Sequence, residues 1–108
     1  MSNKTLSLRE FHEKHLKLGP NDVILDVRNP DEFQAARIKG AVNFPLPEIS
    51  QHIEELQKYD HVYIHCKRGG RAKTAFETLR AAGLKNLICI DDAGMDVWIE
   101  SGYPTEQG

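Results

Sequence analysis

The 108-residue chain contains no apolar run approaching the roughly 18 residues of a membrane span, and its opening, Met1 to Ser7, lacks the hydrophobic segment of a secretory signal. A cytoplasmic protein without a membrane partner is expected. Two cysteines are too few for a disulfide scaffold and favour free thiols in a reducing compartment. There is no internal repeat and no low-complexity tract, and the single linker-like stretch is the short tail 105–108. One domain over residues 1–108 follows. A net charge of −2 lacks the basic character of a nucleic-acid binder, so no nucleic-acid partner is expected. What is present, 40% hydrophobic residues, suffices for a core, since a chain of this length buries roughly 60–70% of its unfolded surface. Neither disulfide nor metal is needed as a staple.

Charge is unevenly placed. Between Cys66 and Phe76 stand Lys67, Arg68, Arg71 and Lys73 with no acid, whereas the rest of the chain carries 10 bases against 16 acids. A charge run is ordinarily a solvated face. This one begins at a cysteine and contains Gly69 and Gly70.

Periodicity places that run in a fold. Ser7 and Glu10 read as a capping box for a helix whose apolar face is Leu8, Phe11, His15 and Leu18, stopped by Gly19-Pro20. Val23 to Val27 reads as a strand buried on both faces. Asn29-Pro30-Asp31-Glu32 then orders a cap, an N1 proline and two first-turn acids for a short helix ending near Arg37. Ala41 to Phe44 is a short strand cut off by Pro45, and Ile49, Ile53 and Leu56 give a third helical face. His61 to His65 is a second buried strand, leading through Cys66–Arg71 into a helix marked by Ala72, Ala75, Phe76, Leu79 and Ala82, with Gly83 as its left-handed cap. Asn86 to Ile90 is a further strand and Met95 to Ser101 a last helix. This alternation predicts α/β architecture with right-handed crossovers and a largely parallel sheet covered on both faces, its ligands beyond the carboxyl ends of the strands.

Three effects converge on Cys66. A helix start supplies unpaired N–H groups and partial positive charge, glycines let the loop curl into an anion-binding nest, and Arg71 and its neighbours add full charges. All favour a thiolate, the nucleophile of covalent catalysis.

The arrangement resembles the rhodanese family of sulfurtransferases, in which a cysteine opens a six-residue loop, basic at its second position, Gly at its fourth and often Arg at its sixth. Cys66, Lys67, Gly69 and Arg71 occupy those positions. Leu25-Asp26-Val27-Arg28 followed by Glu32, the segment Ile38 to Pro45, and Trp98 with Gly102-Tyr103-Pro104 are similar to further family motifs, in the same order. Arg37, where a histidine is common, and Ala93-Gly94, in place of Gly-Gly, are departures. The resemblance implies a central, mostly parallel five-stranded sheet with helices on both faces. It implies that Cys66 takes a sulfane sulfur from thiosulfate or a persulfide donor and passes it to cyanide or a thiol acceptor. Lys67, Arg68, Gly69, Gly70 and Arg71 would bind substrate, and no metal or organic cofactor is required. The partner expected is a small anionic sulfur donor; in the alternative reading, of a persulfide carrier or interaction module in a sulfur relay, it is a protein donor or acceptor.

A cysteine-dependent phosphatase or an arsenate reductase would share the thiolate, the nest and the arginine. Phosphatase chemistry needs five residues between Cys and Arg; four separate Cys66 from Arg71, a difference in contour of about 3.5 Å. That favours holding one sulfur atom over a phosphate.

Other residues are weighed against plainer roles. Cys89, inside Leu87–Ile90, is expected in the core. His65 should point away from the sulfur because strand neighbours face opposite ways. His61 and His65 would lie about 13 Å apart along a strand, so no metal site is expected. His12 and His15 read as one polar and one half-buried surface position. Asp26 is expected to support the site by orienting the cysteine loop or pairing with Arg37. Arg28 is left to bind substrate or an internal acid, and Trp98 to anchor packing at a helix start and close the rim of the site, with Met95 and Asp96 beside it.

Overall fold

Ser7 begins the first helix as its sequence foretells: the hydroxyl accepts from Glu10 N–H while the Glu10 carboxylate accepts from Ser7 N–H. In the computed structural model, which describes residues 3–108, this helix α1 spans Leu8–Lys14 and tightens into a 3-10 turn at His15–Lys17. It is followed by β2 (Asp22–Asp26), α2 (Pro30–Ala35), β3 (Val42–Asn43), a 3-10 segment (Leu46–His52) running into α3 (Ile53–Gln57), β4 (His61–His65), α4 (Gly70–Ala81), β5 (Leu87–Cys89) and α5 (Met95–Glu100). Before α1 lies β1 (Lys4–Thr5), a two-residue strand with both residues exposed, which no apolar pattern marks.

The five strands pair in the order β1-β5-β4-β2-β3, every pairing parallel. Helix α2 stops at Ala35, before Arg37. The third expected helix is mostly 3-10, since Pro47, early in the segment, has no N–H to donate to an α-helical ladder. Residues 105–108 also lie against the fold: Arg37 and Glu106 exchange two backbone hydrogen bonds at 3.0 and 2.8 Å.

Alternation along the strands sorts two cores. Val23, Leu25, Val27, Val62, Ile64, Cys66, Leu87 and Cys89 face one way and meet Ile49, Leu56, Ala72, Ala75 and Leu79 from the 3-10 segment, α3 and α4. Ile24, Tyr63, Ile88 and Ile90 face the other way and meet Leu8 and Phe11 of α1 and Met95 and Trp98 of α5. The chain leaves β2 for the edge strand β3, returns to β4 and proceeds to β5 on the other side. The carboxyl ends of β2 and β4 therefore flank the reversal of strand order, where open parallel sheets form clefts.

Candidate functional site

Cys66 follows directly on β4 and continues its α4-facing series, buried with 1% of its surface exposed. Gly69 and Ala72 donate their backbone N–H groups to Cys66 Sγ at 3.1 and 3.2 Å. The N–H groups of Lys67, Arg68, Gly70 and Arg71 have no acceptor among the described residues and remain available to an anion in the curl. The outer side of the loop is fastened by α5, whose Met95 and Asp96 N–H groups donate to the Cys66 and Lys67 carbonyls at 2.9 and 3.1 Å. Carbonyls point away from the sulfur as a result.

Two glycines permit this geometry. Gly69, the residue before α4, has φ +116°, and a Cβ there would stand 2.2 Å from the Asp91 carbonyl oxygen. A Cβ on Gly94 would stand 2.2 Å from the Cys66 carbonyl oxygen, so the second residue of Ala93-Gly94 is the one that must stay small. Its partner, Ala93, packs into the α1/α5 core.

The resulting open cavity of about 350 Å³ is lined by Cys66, Lys67, Arg68, Gly70 and Arg71. Four of the five residues expected to bind substrate line it; Gly69 is buried and contributes its N–H from behind. A larger groove of about 620 Å³ beside β3, bordered by Phe33, Arg37, Val42 and Gly108, has no cysteine, histidine or carboxylate in its lining.

The charges around the loop are less free than the sequence suggests. Arg71 donates from both terminal nitrogens to the Glu32 carboxylate, at 2.7 and 3.2 Å, and Arg68 Nε donates to Asp96 at 3.1 Å. The Arg71 guanidinium holds the Glu32 carboxyl well below the usual range, at about 2. Among the described residues Lys67 and Lys73 have no acid within salt-bridge distance. Glu32 is legible as a first-turn acid of α2 and as an element of the family-like Asp26 to Glu32 segment, and it accepts from Asn29 N–H at 2.9 Å. Its second partner, 39 residues away, has no local signal.

Of the three expected supporting residues, Asp26 has a different partner from the one expected, Arg28 takes the internal acid of its two alternatives, and Trp98 anchors packing without closing the rim. Asp26 pairs with Arg28, not with Arg37 or the cysteine loop: Arg28 Nη2 and Nε donate to the carboxylate at 2.7 and 3.0 Å, both side chains buried. Arg37 instead places its guanidinium over Phe33 and donates to the Gly108 carbonyl. Arg28 thus binds an internal acid, and its remaining reach goes to the Ala36 carbonyl. Trp98 is fully buried against α1, fourth in its helix rather than at the start, and lines no part of the Cys66 cavity; its Nε1 donates to the Pro104 carbonyl. Met95 packs beside it, because residues three apart on α5 share the buried face. Of the expected rim, Asp96 alone approaches the loop, through Arg68.

His65 points away from the sulfur, stacked on Phe11 and fully buried, with neither ring nitrogen hydrogen-bonded and Nε2 4.0 Å from Asp26. Burial pushes its pKa down, opposed by Asp26 and seconded by Arg28. His61 pairs with Asp22 at 2.8 Å. His12 and His15 are not free surface groups: His12 stacks on Tyr103 with centroids 3.6 Å apart, and His15 packs edge-on to Trp98. Cys89 is fully enclosed, and burial pushes its thiol up to about 12. No helix among the described residues is long and apolar enough to cross a membrane.

This loop, opening at the end of a central parallel strand, matches a family model, the rhodanese-like domain, over residues 8–101. The chain belongs to the rhodanese-like domain family. Among solved rhodanese-like structures, it superposes on a rhodanese-related protein from Thermoplasma volcanium with TM-score 0.81 at 26% identity, covering 97% of this chain and 99% of that one. It superposes on the thiosulfate sulfurtransferase of Pseudomonas aeruginosa with TM-score 0.82 at 26% identity, covering 98% of this chain but 20% of that one. A curated relative in Bacillus subtilis, provisionally named sulfur carrier protein YrkF, is 39% identical over 93 residues. That match takes in 86% of this chain and 49% of the relative, so the chain spans about half of its length.

Proposed function

We propose that the protein is a sulfurtransferase that carries a sulfane sulfur as a persulfide on Cys66. The observation that carries this reading is the pair of N–H donors on Cys66 Sγ at the floor of a small cavity ringed by further unpaired N–H groups. In the first half-reaction the Cys66 thiolate attacks the outer sulfur of thiosulfate; the S–S bond of the donor breaks as the new S–S bond forms, and sulfite leaves with the electron pair. With a persulfide donor, RSSH, the thiolate RS⁻ leaves instead. The loop N–H groups hold the terminal sulfur and its charge. In the second half-reaction cyanide or a thiolate attacks that sulfur, giving thiocyanate or a new persulfide and restoring the Cys66 thiolate. The roles of Lys67, Arg68 and Arg71 in drawing an anionic donor belong to this proposal, as does a protein partner that supplies or receives the sulfur.

Support also comes from the names of relatives, a sulfur carrier and a thiosulfate sulfurtransferase among them. They favour sulfur chemistry over phosphate-ester hydrolysis, as does the four-residue spacing between Cys66 and Arg71.

The test is the intact mass after incubation with thiosulfate, and separately with a low-molecular-weight persulfide, beside a Cys66→Ala control. A gain of one sulfur atom on the parent alone, discharged by cyanide with thiocyanate released, is the expected result. No gain with either donor overturns the proposal, and Cys66-dependent hydrolysis of a phosphate ester would put a phosphatase in its place.

A further inference from the structure

Arg71 lines the cavity and is the sixth residue of the loop, yet its two terminal nitrogens are directed at Glu32. Glu32 is itself fixed from the other side, through the bond it accepts from Asn29 at the start of α2. Neither member of the pair is deeply buried: side-chain exposure is 31% for Arg71 and 26% for Glu32. The carboxylate therefore stands at the edge of the site with its charge intact, paired to the one arginine that enters α4 beside Cys66. Arg68, the other arginine of the lining, touches Asp96 through Nε alone, with its side chain 79% exposed and turned to solvent. A donor entering the cavity meets backbone N–H groups, Lys67 and the outward Arg68, but at Arg71 it meets a guanidinium already paired to a carboxylate.

From this arrangement we infer that Glu32 is a specificity-determining residue, which acts through Arg71 to set the cavity for sulfur donors of low charge, persulfides RSSH, against the dianion thiosulfate. The inference rests on the sulfur-transfer reading above. Thiosulfate brings two negative charges, one of which must stay on the sulfonate outside the nest. To use Arg71 the sulfonate must share the guanidinium with a carboxylate or displace it, and either way like charges are brought together. A persulfide needs only its terminal sulfur inside the N–H ring. Its remaining R group places no second anion beside Glu32.

Glu32→Gln keeps the α2 cap, because the amide oxygen still accepts from Asn29 N–H, and removes the charge. The KM for thiosulfate is expected to fall about tenfold, with kcat little changed, while both constants for 2-hydroxyethyl persulfide stay within about twofold. Glu32→Asp, which restores the carboxylate, is expected to return thiosulfate KM toward the parent value. In an Arg71→Gln background the same Glu32→Gln change is expected to move thiosulfate KM much less, since the freed cation is gone. The parent itself should use the persulfide with a kcat/KM at least tenfold above that for thiosulfate, a comparison that needs no variant to fold.

Cys66 persulfide formed from both donors, with a parent that prefers thiosulfate or a Glu32→Gln variant whose donor preference is unchanged, overturns the role of Glu32 and leaves sulfur transfer standing. Equal loss with both donors in Glu32→Gln also overturns it, since that is the mark of a merely structural residue. No persulfide from either donor on the parent overturns sulfur transfer and this inference with it.

Discussion

Among the described residues, two bidentate arginine–carboxylate pairs lie at the carboxyl ends of the strands, and they inhabit different regions. Asp26–Arg28 sits under the sheet end, both side chains no more than 5% exposed, with Asn43 donating to the Asp26 and Arg28 carbonyls and Ala36 receiving the spare guanidinium N–H. Glu32–Arg71 stands at the edge of the Cys66 cavity, about a quarter to a third exposed. The first ties β2 to the turn that follows it, in a place no donor can reach. The second joins α2 to the first turn of α4, where solvent and ligand compete for both partners. The same two functional groups thus fasten the fold in one region and set the charge offered to a ligand in the other, and burial makes the difference.

Replacing one member of each pair breaks the comparison most sharply. Arg28→Ala leaves the Asp26 carboxylate buried without its cation, and a loss of about 3–5 kcal/mol is expected in urea denaturation. That is a large part of the stability of a domain this size, so the variant should be partly unfolded at 37 °C. Replacing both partners by apolar residues, Asp26→Leu with Arg28→Met, should recover much of the loss because no orphan charge is left. A cost near zero for Arg28→Ala would show that water reaches Asp26 and that the two regions are alike.

Acid separates the regions next, and less severely. His65 lies in the inner region, its pKa pushed below the ordinary 6.5 by burial, so the unfolded chain takes up its proton first. Its contribution is intact above pH 6.5 and is lost as pH falls below that value. Glu32 behaves in the opposite sense. Its carboxyl drops from 4.5 unfolded to about 2 folded, so the stability it brings, which solvent screening at this partly exposed pair holds to about 1 kcal/mol, is present above about 4.5 and is lost as pH falls from there toward 2. Denaturation midpoints followed from pH 8 to 2.5 should therefore decline in two limbs. His65→Leu should flatten the upper limb and leave the lower, and Arg71→Gln should do the reverse. A single decline beginning near 4.5 in the parent would mean that His65 gains a proton without cost.

Much of this organisation could be read in the sequence, for identifiable physical reasons. The capping box at Ser7–Glu10 and the cap, proline and first-turn acids at Asn29–Glu32 are local and appear where their residues place them. The same holds for the strand His61–His65, the loop from Cys66 and the left-handed Gly83, at φ +99°. What could not be read depends on the third dimension. β1 is two exposed residues recruited by backbone pairing with β5, which carries no side-chain pattern. Trp98 is the packing anchor its residue type suggests, but it closes no rim, because the last helix rotates its Met95–Trp98 face onto α1 and turns only Asp96 toward Arg68. The Asp26–Arg28 fork was within reach, since residues two apart near a strand end can project to the same side. Glu32–Arg71 was not, being made by helices whose relative placement depends on the entire sheet.

The smallest effect expected is on stability at the outer pair, and it is the most informative about function. Arg71→Gln leaves Glu32 at a surface where water can replace the lost partner, so the unfolding free energy at pH 7 should change by no more than about 1 kcal/mol. Donor handling should change nonetheless, because Arg71 lines the cavity and Arg28 does not. Urea denaturation of Arg71→Gln beside its thiosulfate kinetics makes the distinction. A stable variant with altered thiosulfate KM assigns the outer pair to ligand recognition. A loss of 3 kcal/mol or more, with kinetics unchanged in the folded fraction, would make Arg71 a fastener like Arg28, and the cavity would then rely on its backbone N–H groups, Lys67 and Arg68.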